Sequence, residues 1–141
     1  MKSKYDSVLK VRKQQLDKAE LNLNQARARQ IAHEEAFKLA NLEYLSMSLP
    51  QNGDVHLLRQ GLQMLDVARN TKELAKEKLE LSNKEMSHYQ NLYKQASLEY
   101  EKIKYLKTEE IKKIKDELKK MEEKFIDEIA ISRHFYGGKD E

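Results

Sequence analysis

Between Ser46 and Asp54 the chain reads Ser-Met-Ser-Leu-Pro-Gln-Asn-Gly-Asp, and no comparable interruption occurs again before Gly137-Gly138. Pro50 is the only proline. It lacks an amide hydrogen and disfavours helical geometry at Leu49 before it. Asn52-Gly53 tolerates positive φ, and Asp54 is a good N-cap for a following helix. Gly61 stands alone and would cost a helix only about 1 kcal/mol relative to Ala. The chain is therefore expected to form a single all-α hairpin: helix 1 over about 4–46, a loop over about 47–54, helix 2 over about 55–134 and a frayed tail over 135–141.

The apolar residues support this division. Leu9, Leu16, Leu23, Gln30, Phe37 and Tyr44 recur every seventh position, with Arg12, Ala19, Ala26, His33, Ala40 and Met47 between them. Large residues alternating with small ones suit close helix pairing, and Gln30 with His33 predicts a polar layer near the middle. Helix 2 opens with Leu58, Leu62, Leu65 and Ala68. It continues through Leu79, Ser82, Met86, Tyr89, Tyr93, Ala96, Tyr100 and Ile103. A further stripe holds Ile111, Ile114, Leu118, Met121 and Phe125. Spacings of four and four through Ile103, Lys107 and Ile111 join the two stripes, and such a stutter unwinds a supercoil locally.

The two helices are unequal, roughly 65 Å and roughly 120 Å at 1.5 Å per residue. A short loop makes them antiparallel. Helix 1 is then expected to cover helix 2 from about Val55 to Tyr100, leaving about Glu101 to Phe135 as an overhang that keeps its apolar stripe. An uncovered stripe wants a partner. Near the hairpin tip, Phe37, Leu42, Tyr44, Leu58, Leu62 and Leu65 cannot all face one seam. Leu42 lies off the stripe, so apolar surface is expected there too. Tyr89, Tyr93 and Tyr100 share one face and Tyr105 lies off it. They serve either as seam packing with hydroxyls at the rim or as an exposed contact ladder.

Composition excludes several functions. The net charge of +3 comes from 27 basic and 24 acidic residues, interspersed rather than clustered, which argues against nucleic-acid binding. The chain has no Cys, so no disulfide framework or thiolate zinc site is expected. No apolar run approaches the ~20 residues of a membrane span, and Met1 to Arg12 has no signal-peptide core. His33, His56, His88 and His134 form no i, i+4 pair. His33 beside Glu34 and Glu35 reads as a polar coiled-coil layer before it reads as a metal site. Glu109-Glu110, Asp116-Glu117 and Glu122-Glu123 alternate with Lys112-Lys113, Lys119-Lys120 and Lys124, the pattern of a solvated helix face. No phosphate loop or nucleophile elbow is present. Neither an enzyme nor a cofactor is expected.

Two stretches carry a resemblance. The opening Tyr5-Asp-Ser-Val-Leu-Lys-Val-Arg12 and the closing Phe125-Ile-Asp127-Glu128-Ile-Ala-Ile-Ser-Arg133, with the length and the break near one-third, resemble the FliJ family of the flagellar type III export apparatus. That resemblance implies a protein akin to the central stalk of rotary ATPases. Such a protein inserts its terminal coiled coil into the hexameric ring of the flagellar export ATPase and promotes ring assembly and activity. It also contacts the cytoplasmic part of the export gate membrane protein and cycles export chaperones. It would lie in the cytoplasm, peripheral to the flagellar base. By position, Ile111, Ile114, Leu118, Met121, Phe125, Asp127, Glu128 and Arg133 would face the ATPase, while Phe37, Leu42, Tyr44, Leu58, Leu62 and Leu65 would face the gate. A charged, stiff rod could turn in such a ring without sticking. The alternatives are a tethering coiled coil that homodimerises through its exposed stripe and a nucleic-acid-binding hairpin.

Overall fold

The computed structural model describes residues 2–137. Two helices make up the fold: α1 over Asp6–Ser46 (41 residues) and α2 over Val55–Gly137 (83 residues). They pack against each other as an antiparallel hairpin with a longer second helix, the all-α class expected from the sequence. Phe135 continues the helix instead of opening a tail. The remainder of the expected tail, residues 138–141, lies outside the described residues.

Caps fix both starts. The Ser3 amide donates to Asp6 Oδ2 at 3.0 Å, and Ser3 Oγ accepts from the Tyr5 amide at 3.1 Å. This reciprocal arrangement is a capping box. At the second helix, Asp54 Oδ1 accepts the Leu57 amide at 3.0 Å, the N-cap bond its side chain is suited to. Gly53 just before it has φ +146°, and a Cβ there would come within 2.8 Å of Leu57 Cδ1. That backbone region is all but closed to L-side chains. Gly53→Ala should therefore lower stability by roughly 1–3 kcal/mol, read as a shifted denaturant midpoint with an unchanged m-value.

The hairpin divides into two compact units, Gln15–Ser97 and Met1–Gln14 with Leu98–Glu141. In the first, the seam follows the seven-residue stripes. Leu23, Ala26, Ala40, Ala68 and Ser82 are buried, and Leu16, Ala19, Gln30, His33, Phe37, Leu79 and Met86 are half-buried. The side chains that vanish most completely are small, because only small residues let two helices approach closely enough to exclude water from both sides. Ser82 satisfies its hydroxyl by donating to the Leu79 carbonyl at 2.7 Å. Gln30 and His33, from which a polar layer is expected, are both half-buried, and Gln30 Nε2 donates to Asn83 Oδ1 at 2.6 Å at the exposed edge of the seam, beside an Arg29–Glu85 ion pair.

The expected coverage of α2 is corrected at both ends. In the unit containing the loop, Tyr44 stands beside Arg69 and Lys72, not beside Val55. The loop itself runs back along α2. A Cβ on Gly61 would meet Pro50 Cδ at 3.1 Å and Leu49 Cδ2 at 3.4 Å, so Gly61 admits the loop where a larger residue would hold it off. Counting the loop as a point placed the register too low. In the other unit, Asp6 pairs with Lys107 and Ser3 with Glu110. Coverage thus extends past Tyr100 to Glu110, Ile111 and Ile114 remain half-buried just beyond it, and the fully exposed part of α2 begins at Lys115.

Candidate protein-docking surfaces

The first surface is the bare end of α2. Ile111 and Ile114 are still half-buried, whereas every described side chain from Lys115 to Phe135 is exposed. Leu118 is 49% exposed, Met121 67% and Phe125 63%. Spacings of three and four align them into one stripe along the helix. Asp127, Glu128 and Arg133 are exposed beyond it. The sequence-derived ATPase set therefore sits on a single helix, and the structure brings its apolar members onto one face.

Where α1 begins against α2, the contacts turn polar. Lys107 Nζ lies 2.8 Å from Asp6 Oδ1, and Ser3 Oγ donates to Glu110 Oε2 at 2.7 Å. The Lys107 ammonium, and next the Ser3 amide, hold the Asp6 carboxyl below its ordinary pKa. A depressed carboxyl stabilises the fold above its unfolded-state value, and that contribution is lost as pH falls through its folded value. Amides near Ser3 to Leu9 should therefore lose protection, read as the ratio of intrinsic to observed hydrogen-exchange rate, as the pH is lowered through the acid range, and Asp6→Asn should lower that protection already at neutral pH. Further along the same unit, Lys13 Nζ lies 5.6 Å from the Tyr100 ring centroid. Tyr105 is exposed, off the seam as its position predicts.

The second surface lies near the loop. Of the six residues expected to face the gate, Leu42, Leu58 and Leu62 are exposed, whereas Phe37, Tyr44 and Leu65 are half-buried along the seam. Tyr44 is pinned from two sides. The neighbouring Tyr44 hydroxyl raises the pKa of the Arg69 guanidinium, and Lys72 Nζ sits 4.9 Å from the Tyr44 ring centroid. The six are thus split between seam and surface.

A further apolar set escaped the seam-based reading. Leu39, Met64, Val67, Leu74 and Leu81 are all more than half exposed, and Met64 and Val67 share an open groove with Met47, Glu43 and Thr71. Val67, Leu74 and Leu81 each precede a seam residue, Ala68, Ala75 and Ser82, by one position. Their own seven-residue recurrence was the available signal. The opposite flank carries charge instead, with Glu34, Lys38, Asp66, Arg69, Glu73 and Lys76. Nearest the loop the first flank is mainly apolar, and further from it the Arg29–Glu85 ion pair occupies that same flank.

Among the described residues no group of three or more His, Asp or Glu could hold a metal ion, and no helix is long and apolar enough to cross a membrane. The fold and its surfaces define a helical coiled-coil protein, a hairpin whose described residues leave apolar stripes exposed. The chain belongs to the flagellar FliJ protein family, whose sequence pattern matches residues 1–139. Neither a curated protein nor a solved structure matches it. That membership gives the chain a role related to flagellar protein export.

Proposed function

We propose that the chain is the stalk-like component of the export apparatus. Its bare α2 end, from Ile111 through Leu118, Met121 and Phe125 to Asp127, Glu128 and Arg133, enters the ring of the export ATPase and promotes ring assembly and hydrolysis. The observation that carries this is the exposed stripe itself: an amphipathic helix with no cover in its own chain gains most by burying that face in a partner. The loop end serves other contacts of the apparatus. There Leu42, Leu58 and Leu62, together with the apolar side formed by Leu39, Met64, Val67 and Leu74, meet the cytoplasmic part of the export gate. Phe37, Tyr44 and Leu65 back that surface from the seam. Export chaperones are exchanged at the same end, and the protein works in the cytoplasm at the flagellar base.

The test is direct. Purified protein titrated into the export ATPase should raise hydrolysis and shift the ATPase towards rings. If no ratio of the two changes either quantity, the stalk reading is wrong.

A further inference from the structure

The stripe on the bare end of α2 is bordered by ordered charge. Lys115 and Glu122 flank it on one side, and Glu117 and Lys124 on the other. All four are exposed, as are Leu118, Met121 and Phe125 between them. The order of these charges discriminates between ways of pairing the stripe with a second copy of itself. In a parallel pair, a residue on one border meets the opposite border of its partner five positions on. Glu117 would then face Glu122 of the second copy, and symmetry would repeat the clash. In an antiparallel pair, like borders meet. With Leu118 against Met121 and Ile114 against Phe125 of the second copy, Lys115 faces Glu122 and Glu117 faces Lys124. Every bordering contact is then attractive, and the twofold axis doubles each one. The hairpin's own seam shows this border-to-border pairing, where Arg29 of α1 meets Glu85 of α2 across antiparallel helices.

We propose that the bare end of α2 self-associates as an antiparallel dimer across Ile114–Phe125. The overlap is about three turns of helix, so the dimer is weak and forms with rising concentration. It buries the same stripe that the stalk reading offers to the ATPase. On that reading, and only on it, the dimer is a stored form from which the ring must draw monomer.

Sedimentation equilibrium of the full chain tests the dimer. The expected result is a monomer–dimer equilibrium. Lys115→Glu and Glu122→Lys should each weaken it about tenfold by turning attraction into repulsion at two symmetric contacts. Lys115→Glu combined with Glu122→Lys in one chain should restore it. A mixture of the two single variants should yield a heterodimer as tight as the unmodified dimer, because each reversed charge then meets its complement. Circular dichroism confirms that each variant keeps its helix. The natural absence of Cys makes orientation readable: Ile114→Cys mixed with Phe125→Cys should cross-link under oxidation, and neither should cross-link alone. A chain that stays monomeric up to about 1 mM, single reversals without effect, or cross-linking by Ile114→Cys alone would overturn the proposal. A monomer would leave the ATPase titration untouched, and an unresponsive ATPase would leave the dimer untouched.

Discussion

Phe125→Asp is expected to leave the hairpin folded and to abolish stimulation of the export ATPase. Phe125 is 63% exposed, beyond the stretch that α1 covers, so its loss removes no seam packing. Exposed substitutions of this kind usually change stability by less than about 0.5 kcal/mol. Docking is a different matter. Aromatic residues at the centre of an interface are its usual hot spots, worth about 2–4 kcal/mol each. The variant also forces a carboxylate into a surface that must shed its water, a penalty of several kcal/mol after relaxation (~3 or more). The two effects together would reduce affinity at least a hundredfold by the rule of about 1.4 kcal/mol per factor of ten. Unchanged far-UV circular dichroism with lost stimulation is the expected pair of readings. Leu118→Asp should reproduce it. Leu21→Asp, equally exposed but on α1, should not. Full stimulation by Phe125→Asp would mean that the ring grips another part of the chain.

Within the seam the largest expected effect on stability lies at Ala26, which is 1% exposed. Ala26→Leu should destabilise the hairpin by about 1–3 kcal/mol, because added methylenes in a close-packed seam force the helices apart or the side chain off its rotamer. For a chain of this size that is a fall of roughly 3–10 °C in melting temperature, read by loss of helical circular dichroism. Leu ranks close behind Ala as a helix former, so propensity alone would cost only a few tenths of a kcal/mol (~0.2). The size of the fall therefore measures the closeness of the two helices and not helical propensity. Leu21→Ala, in the preceding turn but facing water, is the control and should scarcely move the melt.

Most of the fold can be read from periodicity, since a two-helix seam repeats one rule many times over. Leu9, Leu16, Leu23, Phe37 and Tyr44 all lie along it, and the small residues Ala26, Ala40, Ala68 and Ser82 fall where burial is deepest. Asp54 and Gly53 announce the second helix by chemistry that acts over a few residues. Register is less legible. It depends on how the loop lies, and the clue was a single contact, Gly61 under Leu49 and Pro50, which a glycine in isolation does not betray. The Asp6–Lys107 pair was hidden for the same reason, because a partner 101 positions away is fixed only once the register is known. The apolar side at Leu39, Val67, Leu74 and Leu81 was visible in principle. It was obscured because residues off a seam are ordinarily treated as solvent-facing and left ungrouped.

The end of coverage at Glu110 divides α2 into two thermodynamic regimes. Up to Ser3 and Asp6, opening the second helix means breaking the seam as well. Past them, a turn of helix can open against nothing but its own backbone bonds, and isolated helix in water is only marginally stable. Lys115, Lys119 and Lys120 lie in that second regime. Trypsin should therefore shorten the free protein to a fragment ending soon after Glu110 and then slow sharply. The same segment, once held in a ring, should become resistant. A protease would thus read off the boundary between the part of α2 that its own chain completes and the part that another protein completes.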